Sequence, residues 1–142
     1  MQRGHTLLEL MVALAVIGVT IAGGLLRLPG GLDRIAVRQA AVELTTALAV
    51  TRNAAVFRGV RARLAIAADS LRLDELDEGV WKPRMRWPGP LSHSVDMDVS
   101  NRVVTFDPLG LGWGAANTKV VFTRGFQSAT VTTSRVGRVK RW

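Results

Sequence analysis

The chain has 142 residues, enough for one small domain beside an apolar N-terminal segment. It contains no cysteine, which excludes disulfides, zinc–thiolate sites and thiol nucleophiles. Nineteen lysines and arginines against 11 acidic residues give a formal net charge of +8. This charge favours polyanionic partners or anionic lipid surfaces, and the alternative is a basic surface that is simply solvated by water.

The first predicted element is an apolar helix in "RGHTLLELMVALAVIGVTIAGGLL", a segment that starts at Arg3. No charged residue occurs from Leu10 to Leu26. As a helix, residues 6–26 span roughly 30 Å, the thickness of a bilayer core. By the positive-inside tendency, Arg3 stays cytoplasmic and the rest of the chain lies across the membrane. Glu9 is unusual here, because a carboxylate in hydrocarbon is costly unless it is partnered, functional or placed at the membrane edge.

These residues, "RGHTLLELMVALAVIGV", resemble the class III signal of type IV pilins and pseudopilins, in which a short basic leader ends in glycine before an apolar run. The resemblance implies that prepilin peptidase cuts after Gly4 and that His5 becomes the methylated N-terminus. It also implies that Glu9 meets the new amine of a neighbouring subunit during assembly. The opposite charge would offset the desolvation of both groups. His5 departs from the phenylalanine that the family most often has.

The next segment, "RLPGGLD" at residues 27–33, is predicted to interrupt the helix, because proline lacks an N–H donor and paired glycines bend easily. Asp33 is expected to cap the helix after it. From Leu32 to Arg58 the pattern predicts an amphipathic helix that ends near Gly59 and packs against a sheet. Its recurring apolar residues are Ile35, Ala36, Val42, Leu44, Leu48, Ala55 and Val56.

After Gly59 the apolar period changes to two, which predicts strands. In "VRARLAIA", Val60, Ala62, Leu64 and Ile66 form one face, and "DSLRLDEL" is the predicted hairpin partner. Further strands are predicted in "SVDMDV", "NRVVTF", "TKVVFT", "SATVTTS" and "GRVKR". The segment "EGVWKPRMRWPGPLS", residues 78–92, is predicted to be an irregular loop held by aromatic anchors.

The predicted fold class is therefore α+β, with a long N-terminal helix, transmembrane in its first half, packed on a C-terminal antiparallel β-sheet domain. Three segments, "AVELTTALAVTRNAAVFRGVRARLAI", "FDPLGLGWGAANTKVVF" and "VTTSRVGRVKRW", resemble the GspH/FimT group of minor pseudopilins. The resemblance implies a pilin-like organisation in four parts. These are a leader cleaved by prepilin peptidase at 1–4, a transmembrane and assembly helix at 5–28, an amphipathic periplasmic helix at 29–58 and a periplasmic β-rich pseudopilin domain at 59–142.

No residue pattern supports catalysis, a cofactor or a metal, so we expect a protein that is not an enzyme. The glycines of "GLGWG" lack the lysine and hydroxyl residue of a phosphate loop and are expected to form a turn. His93 has no nearby nucleophile or metal-ligand spacing and is expected to be exposed or capping. The acids of "LDELDE" lack the glycine-punctuated spacing of a calcium loop, so a solvated turn is favoured over a calcium site.

The basic C-terminus has two interpretations. Four basic residues come shortly before Trp142, namely Arg135, Arg138, Lys140 and Arg141. Their positive charges could bind phosphate groups, and the Trp142 ring could stack on bases. In the FimT branch of the group, a similar G-R-x-R-like motif is associated with DNA capture for uptake. Here the corresponding residues are "GRVK", with lysine in the last place. Lysine keeps the positive charge but lacks the planar guanidinium of arginine. The favoured alternative is an edge strand that charged residues protect against aggregation.

The sequence is identified as resembling a GspH/FimT-type minor pseudopilin of the type II secretion system, an inner-membrane protein with a periplasmic domain that joins the pseudopilus tip. The implied partners are other minor and major pseudopilins, prepilin peptidase, the inner-membrane assembly platform and the membrane. The alternative is a FimT-like minor pilin of a type IV pilus that binds DNA through its basic C-terminus. A third hypothesis is an unprocessed single-pass membrane protein, in which the bond after Gly4 stays intact.

Overall fold

The computed structural model describes residues 6–25, 28–114 and 116–142. Two helices come first, α1 (Leu7–Leu25) and α2 (Leu28–Arg58). Within the described ranges, nine strands and a short 3-10 helix (Pro90–His93) come after them. The strands are β1 (Ala62–Ile66), β2 (Ser70–Asp77), β3 (Val80–Pro88), β4 (Asp96–Val99), β5 (Val103–Phe106), β6 (Gly112–Trp113), β7 (Thr118–Arg124), β8 (Gln127–Thr133) and β9 (Val139–Arg141).

The strands form two antiparallel sheets. One has the order β3-β2-β1-β5-β6 and the other the order β4-β7-β8-β9. The predicted α+β architecture, a long N-terminal helical region followed by antiparallel sheets, is confirmed. The hairpin of β1 and β2 is also confirmed, with Leu64 opposite Leu73 and the apolar face of β1 buried.

The buried face of α2 binds the two sheets together. Its small and apolar residues repeat at helical spacing and pack against the inner faces of both sheets, which is what an amphipathic helix requires. The fully buried members from α2 include Ala41, Leu44, Ala47, Leu48 and Ala55, and those from the sheets include Leu64, Val104, Phe106, Val120, Phe122 and Val131. Ile35, Val42 and Val56, which the sequence pattern groups with this face, are exposed.

The predicted interruption at residues 27–33 is wrong for the part that the structure describes. Residues 28–33 lie inside α2 (Leu28–Arg58). The low helix propensity of the paired glycines is a weak preference, and the packing of the α2 face on the sheets outweighs it. Asp33 is therefore a helical residue rather than a cap, and it pairs with Arg124 at 2.8 Å between Oδ1 and Nε.

The predicted loop at residues 78–92 is also wrong, because most of it is strand β3. β3 pairs with β2 from Ser70 opposite Pro88 to Asp77 opposite Val80. Its proline at 83 is accommodated because β3 is an edge strand and the pairing register shifts between Leu73 and Asp74. A strand thus continues through a segment whose prolines indicate a loop.

Candidate assembly and nucleic-acid interfaces

The N-terminal residues begin α1 with a capping arrangement. The backbone N–H of Glu9 donates to the carbonyl oxygen of Thr6 at 3.0 Å and approaches the Thr6 hydroxyl oxygen at 3.4 Å. Threonine followed three residues later by glutamate is the sequence signature of a capping box, which the sequence interpretation missed. A carboxylate in the first turn is also stabilised by the helix dipole. Gly4 and His5, the predicted processing residues, lie outside the described residues.

The apolar side chains of α1 are largely uncovered. Every large apolar residue recorded from Leu7 to Ile21 is at least 52% exposed, although an apolar surface of this length is stable only against lipid or other apolar chains. In the part of the chain that the structure describes, no helix combines the length and the apolar character needed to cross a membrane. The exposed face of α1 is the candidate assembly surface.

The basic C-terminus folds as an edge strand, so its charges fall on two faces. β9 pairs only with β8 among the described strands, with Lys140 opposite Thr132 and Arg141 opposite Val131. Val131 belongs to the buried core, whereas Thr132 faces outward, so Lys140 and Arg141 project from opposite faces of the sheet. The four predicted DNA-binding residues therefore do not form one patch.

The outward face carries Arg138 and Lys140. Both line a shallow cavity of about 220 Å³ above the end of β8. The Lys140 ammonium lies 3.4 Å from the centroid of the Trp142 ring, a cation–π contact. Arg135 lies in the turn before β9, where its carbonyl oxygen accepts a hydrogen bond from the N–H of Gly112 at 2.6 Å. This face combines charge with an aromatic ring, as nucleic-acid-binding surfaces do.

The inward face carries Arg141, beside two residues that the sequence interpretation did not select. Arg34 and Arg38 of α2 line a cavity of about 290 Å³ together with Arg141 and Trp142. The spacing of Arg34 and Arg38 places them one helical turn apart on one side of α2. No local sequence signal joins them to Arg141, because only the packing of α2 on β8 and β9 makes them neighbours.

Most of "LDELDE" belongs to strand β2, and Asp74, Glu75 and Asp77 pair with basic side chains, so the predicted solvated turn is wrong for these three residues. Asp74 and Glu75 are buried within β2. Asp74 accepts hydrogen bonds from Arg63 Nε at 2.9 Å and Arg72 Nε at 2.8 Å. Glu75 pairs with Arg58 and Arg84. Their carboxylate oxygens accept hydrogen bonds from arginines, which stabilises this part of the sheet rather than offering open ligands for a cation.

Asp77 and His93 have defined partners too. Lys82 donates a hydrogen bond to Asp77 Oδ2 at 2.8 Å, and this bond, with the charge of Lys82, lowers the pKa of Asp77 below its ordinary value. The expectation that His93 is exposed or capping is not met. Instead its Nε2 lies 3.0 Å from both carboxylate oxygens of Glu43 on α2, and its side chain is 21% exposed.

An apolar helix followed by a second helix that packs on antiparallel sheets defines a pilin-like protein. Residues 1–25 match the model of the prokaryotic N-terminal methylation motif. No curated protein matches the sequence.

Two similar solved structures share this fold. The type IV minor pilin FimU of Pseudomonas aeruginosa is similar with a TM-score of 0.64 and 17% identity, over 76% of this chain and 89% of that one. The minor pseudopilin EpsH from the type 2 secretion system of Vibrio cholerae is similar with a TM-score of 0.62 and 11% identity, over 75% of this chain and 95% of that one. Both are pilin-type subunits rather than enzymes.

The methylation motif and the pilin-like fold together support the resemblance to GspH/FimT-type minor pseudopilins. The chain has the pseudopilin or minor pilin fold behind a prepilin-type N-terminus. Pilin-like proteins with such a motif are processed by prepilin peptidase and assemble with other pilins.

Proposed function

We propose that this protein is a minor pseudopilin of a type II secretion system and supports protein export from the pseudopilus tip. Residues 5–28 anchor it in the bacterial inner membrane before assembly, and the domain at 59–142 lies in the periplasm. The observation that supports a pilin-type subunit is the coincidence of a methylation motif with an α1 whose large apolar side chains from Leu7 to Ile21 are at least half exposed.

The proposed mechanism is assembly rather than catalysis. Prepilin peptidase cleaves after Gly4, and the amine of His5 becomes the new N-terminus. α1 then leaves the bilayer and packs among the helices of major and minor pseudopilins on the inner-membrane platform, which covers its apolar surface. Glu9 in the first turn attracts the terminal amine of a neighbouring subunit and sets the register of the helices.

The processing step is tested by mass spectrometry of the mature chain from cells that contain prepilin peptidase. We expect a polypeptide that begins at methylated His5. A chain that retains residues 1–4 would instead support an ordinary single-pass membrane protein.

The assembly step is tested with Glu9→Gln in cells that lack the native copy. We expect normal cleavage but loss of the chain from sheared pseudopilus fractions, because the charge that pairs with the neighbouring amine is gone. Thr20→Val is the matched control, since the Thr20 hydroxyl donates within its own helix, to the carbonyl oxygens of Val16 and Ile17. Equal incorporation of both variants would contradict the role of Glu9.

Two phenotypes of the deletion strain distinguish a type II secretion system from a type IV pilus that imports DNA. We expect loss of exported proteins from the culture medium, with uptake of external DNA unchanged. The reverse pattern would assign the chain to a type IV pilus that imports DNA.

DNA binding is the second candidate function, and it is favoured by the outward face with Arg138 and Lys140, where the Lys140 ammonium also contacts the Trp142 ring. It predicts binding of double-stranded DNA that weakens as salt rises, because lysine and arginine release counterions from the phosphates. The detergent-solubilised full chain should then lose binding in Arg138→Ala/Lys140→Ala. The control Arg102→Ala/Lys119→Ala removes the same charge from other exposed positions. Equal effects of the two pairs would mean that only net charge attracts DNA.

A further inference from the structure

The end of the domain next to α1 carries unpaired positive charge. Arg34, Arg38 and Arg141 converge on a cavity of about 290 Å³ between α2, β8 and β9. Within the described part of the chain, none of these three arginines has an ion-pair partner. The nearby carboxylate of Asp33 is already engaged by Arg124 at 2.8 Å. An anionic group is the ligand that this cavity fits.

The same end presents exposed apolar and aromatic side chains. Phe126 is fully exposed, Leu32 and Ile35 are about 60% exposed, and Trp142 is 69% exposed. Phe126 comes after Gly125 in the two-residue turn between β7 and β8. Gly125 has a φ of +56°, and a Cβ there would lie 2.6 Å from Asp33 Oδ2, so the turn is held against the start of α2. Exposed aromatics beside arginines are typical of surfaces that enter a membrane interface.

Chain connectivity places this end near the end of α1. Three Cα–Cα steps separate Leu25 from Leu28, which limits their distance to about 11 Å. Arg34 lies six residues further along α2, about 9 Å at the helical rise. If α1 occupies the hydrocarbon core, the arginines and Phe126 are within reach of the lipid headgroups.

We propose that this end is a membrane-docking face, on which Arg34, Arg38 and Arg141 bind the phosphates of anionic phospholipids while Phe126 enters the interface. The inference rests on the proposed membrane anchoring of α1. Docking holds this end of the domain against the membrane before assembly. Extraction of the subunit into the pseudopilus requires the domain to detach from the lipid headgroups.

The absence of cysteine from the sequence allows a single label at a chosen position. Ser128→Cys places a fluorophore at the cavity, and Asn117→Cys places one before the other end of β7, about 20 Å away along the hairpin. Each labelled full-length chain is reconstituted in nanodiscs of phosphatidylcholine alone or with phosphatidylglycerol, and quenching by a headgroup-linked quencher is measured. We expect quenching at position 128 only in the anionic discs, with loss at high salt and no change at position 117.

The charge requirement is tested in Arg34→Gln/Arg38→Gln. We expect its docked-to-undocked ratio in anionic discs to fall roughly 25-fold, since each basic residue near an anionic surface contributes about a fivefold attraction. Arg102→Gln/Lys119→Gln removes equal charge elsewhere and should leave docking unchanged. Equal quenching in neutral and anionic discs, or equal effects of the two pairs, would overturn the proposal.

Three further outcomes separate the possible failures. Loss of quenching on addition of inorganic phosphate, but not of chloride at the same ionic strength, would assign the cavity to a free anion and overturn lipid docking. A chain that enters discs of both compositions without quenching at position 128 would overturn the docking face alone. A chain that enters neither would contradict the anchoring of α1, and with it the proposed function.

Discussion

Arg52 of α2 joins two loops that are far apart in sequence. Its Nε donates to the carbonyl oxygen of Gly110 at 2.9 Å, and its Nη1 donates to the carbonyl oxygen of Gly137 at 3.5 Å. Gly110 lies after β5 of the first sheet, and Gly137 precedes β9 of the second. One guanidinium therefore fixes α2 to both sheets, and the three sequence segments that resemble the GspH/FimT group meet at this point.

Replacing this guanidinium tests its structural role. We expect Arg52→Met to lower the free energy of unfolding by about 1–3 kcal/mol, because the side chain keeps apolar bulk while two carbonyl oxygens lose a charged donor. Urea unfolding of the detergent-solubilised chain measures the change. Arg38→Met, on an exposed position of the same helix, serves as the control and should cost little. A similar loss of stability in both variants would show that the effect comes from removing a positive charge from α2, not from losing the hydrogen bonds to the two loops.

The close approach of the two loops depends on Gly137. Its φ is +71°, and a Cβ there would lie 2.6 Å from the carbonyl oxygen of Gly110 and 3.1 Å from Arg52 Nε. Gly59 offers a matched comparison, since its φ is +64° and a Cβ there would meet nothing within 4 Å. We expect Gly59→Ala to cost about 1 kcal/mol of stability from backbone strain alone. Gly137→Ala should cost a further 1–3 kcal/mol or so from overpacking. Equal thermal shifts would contradict the contact between the loops.

Much of the fold could be predicted because its elements obey simple periods. The alternation in "VRARLAIA" predicts a strand with one buried face, and Ala62, Leu64 and Ile66 are indeed buried. β3 could not be predicted, because its prolines lack the donor that a strand normally needs. Only its edge position and the register shift opposite Asp74 make that tolerable.

The sites were less predictable than the fold. The T-x-x-E pattern at Thr6 and Glu9 was a readable helix-start signal that the sequence interpretation did not use. The division of Lys140 and Arg141 between two faces results from strand alternation once β9 is placed at an edge. The cluster of Arg34, Arg38 and Arg141 had no such signal, because its members are brought together only by tertiary packing.

The ion pair between Lys82 and Asp77 makes a prediction about pH. Its hydrogen bond lowers the folded-state pKa of Asp77, so the stability that it contributes is present above the unfolded pKa and is lost as pH falls through the folded value. We expect Lys82→Gln to raise the pKa of Asp77 towards its ordinary value, which shrinks this pH-dependent contribution to stability. A carboxyl NMR titration measures the value directly. Lys119→Gln is the control for net charge, and an equal shift there would contradict a specific pair.

The buried carboxylate of Asp74 supports the sheet through two arginines. Arg63 and Arg72 both donate to it, and the Arg63 guanidinium also lies 4.4 Å from the centroid of the Trp81 ring. We expect Asp74→Asn to lower the free energy of unfolding by about 2 kcal/mol. The loss stays below that of a fully buried pair, because the side chains of Arg63 and Arg72 are 27% and 51% exposed and water screens them.

The matched control for Asp74 is Asp98, an exposed aspartate on β4. Asp98→Asn should leave the unfolding midpoint nearly unchanged, because that carboxylate is already solvated. The loss in Asp74→Asn should also shrink in a background that lacks both arginines, since the buried carboxylate then has no cation to hold. A full loss in that background would mean that Asp74 acts through packing, and it would contradict the ion-pair account of Asp74.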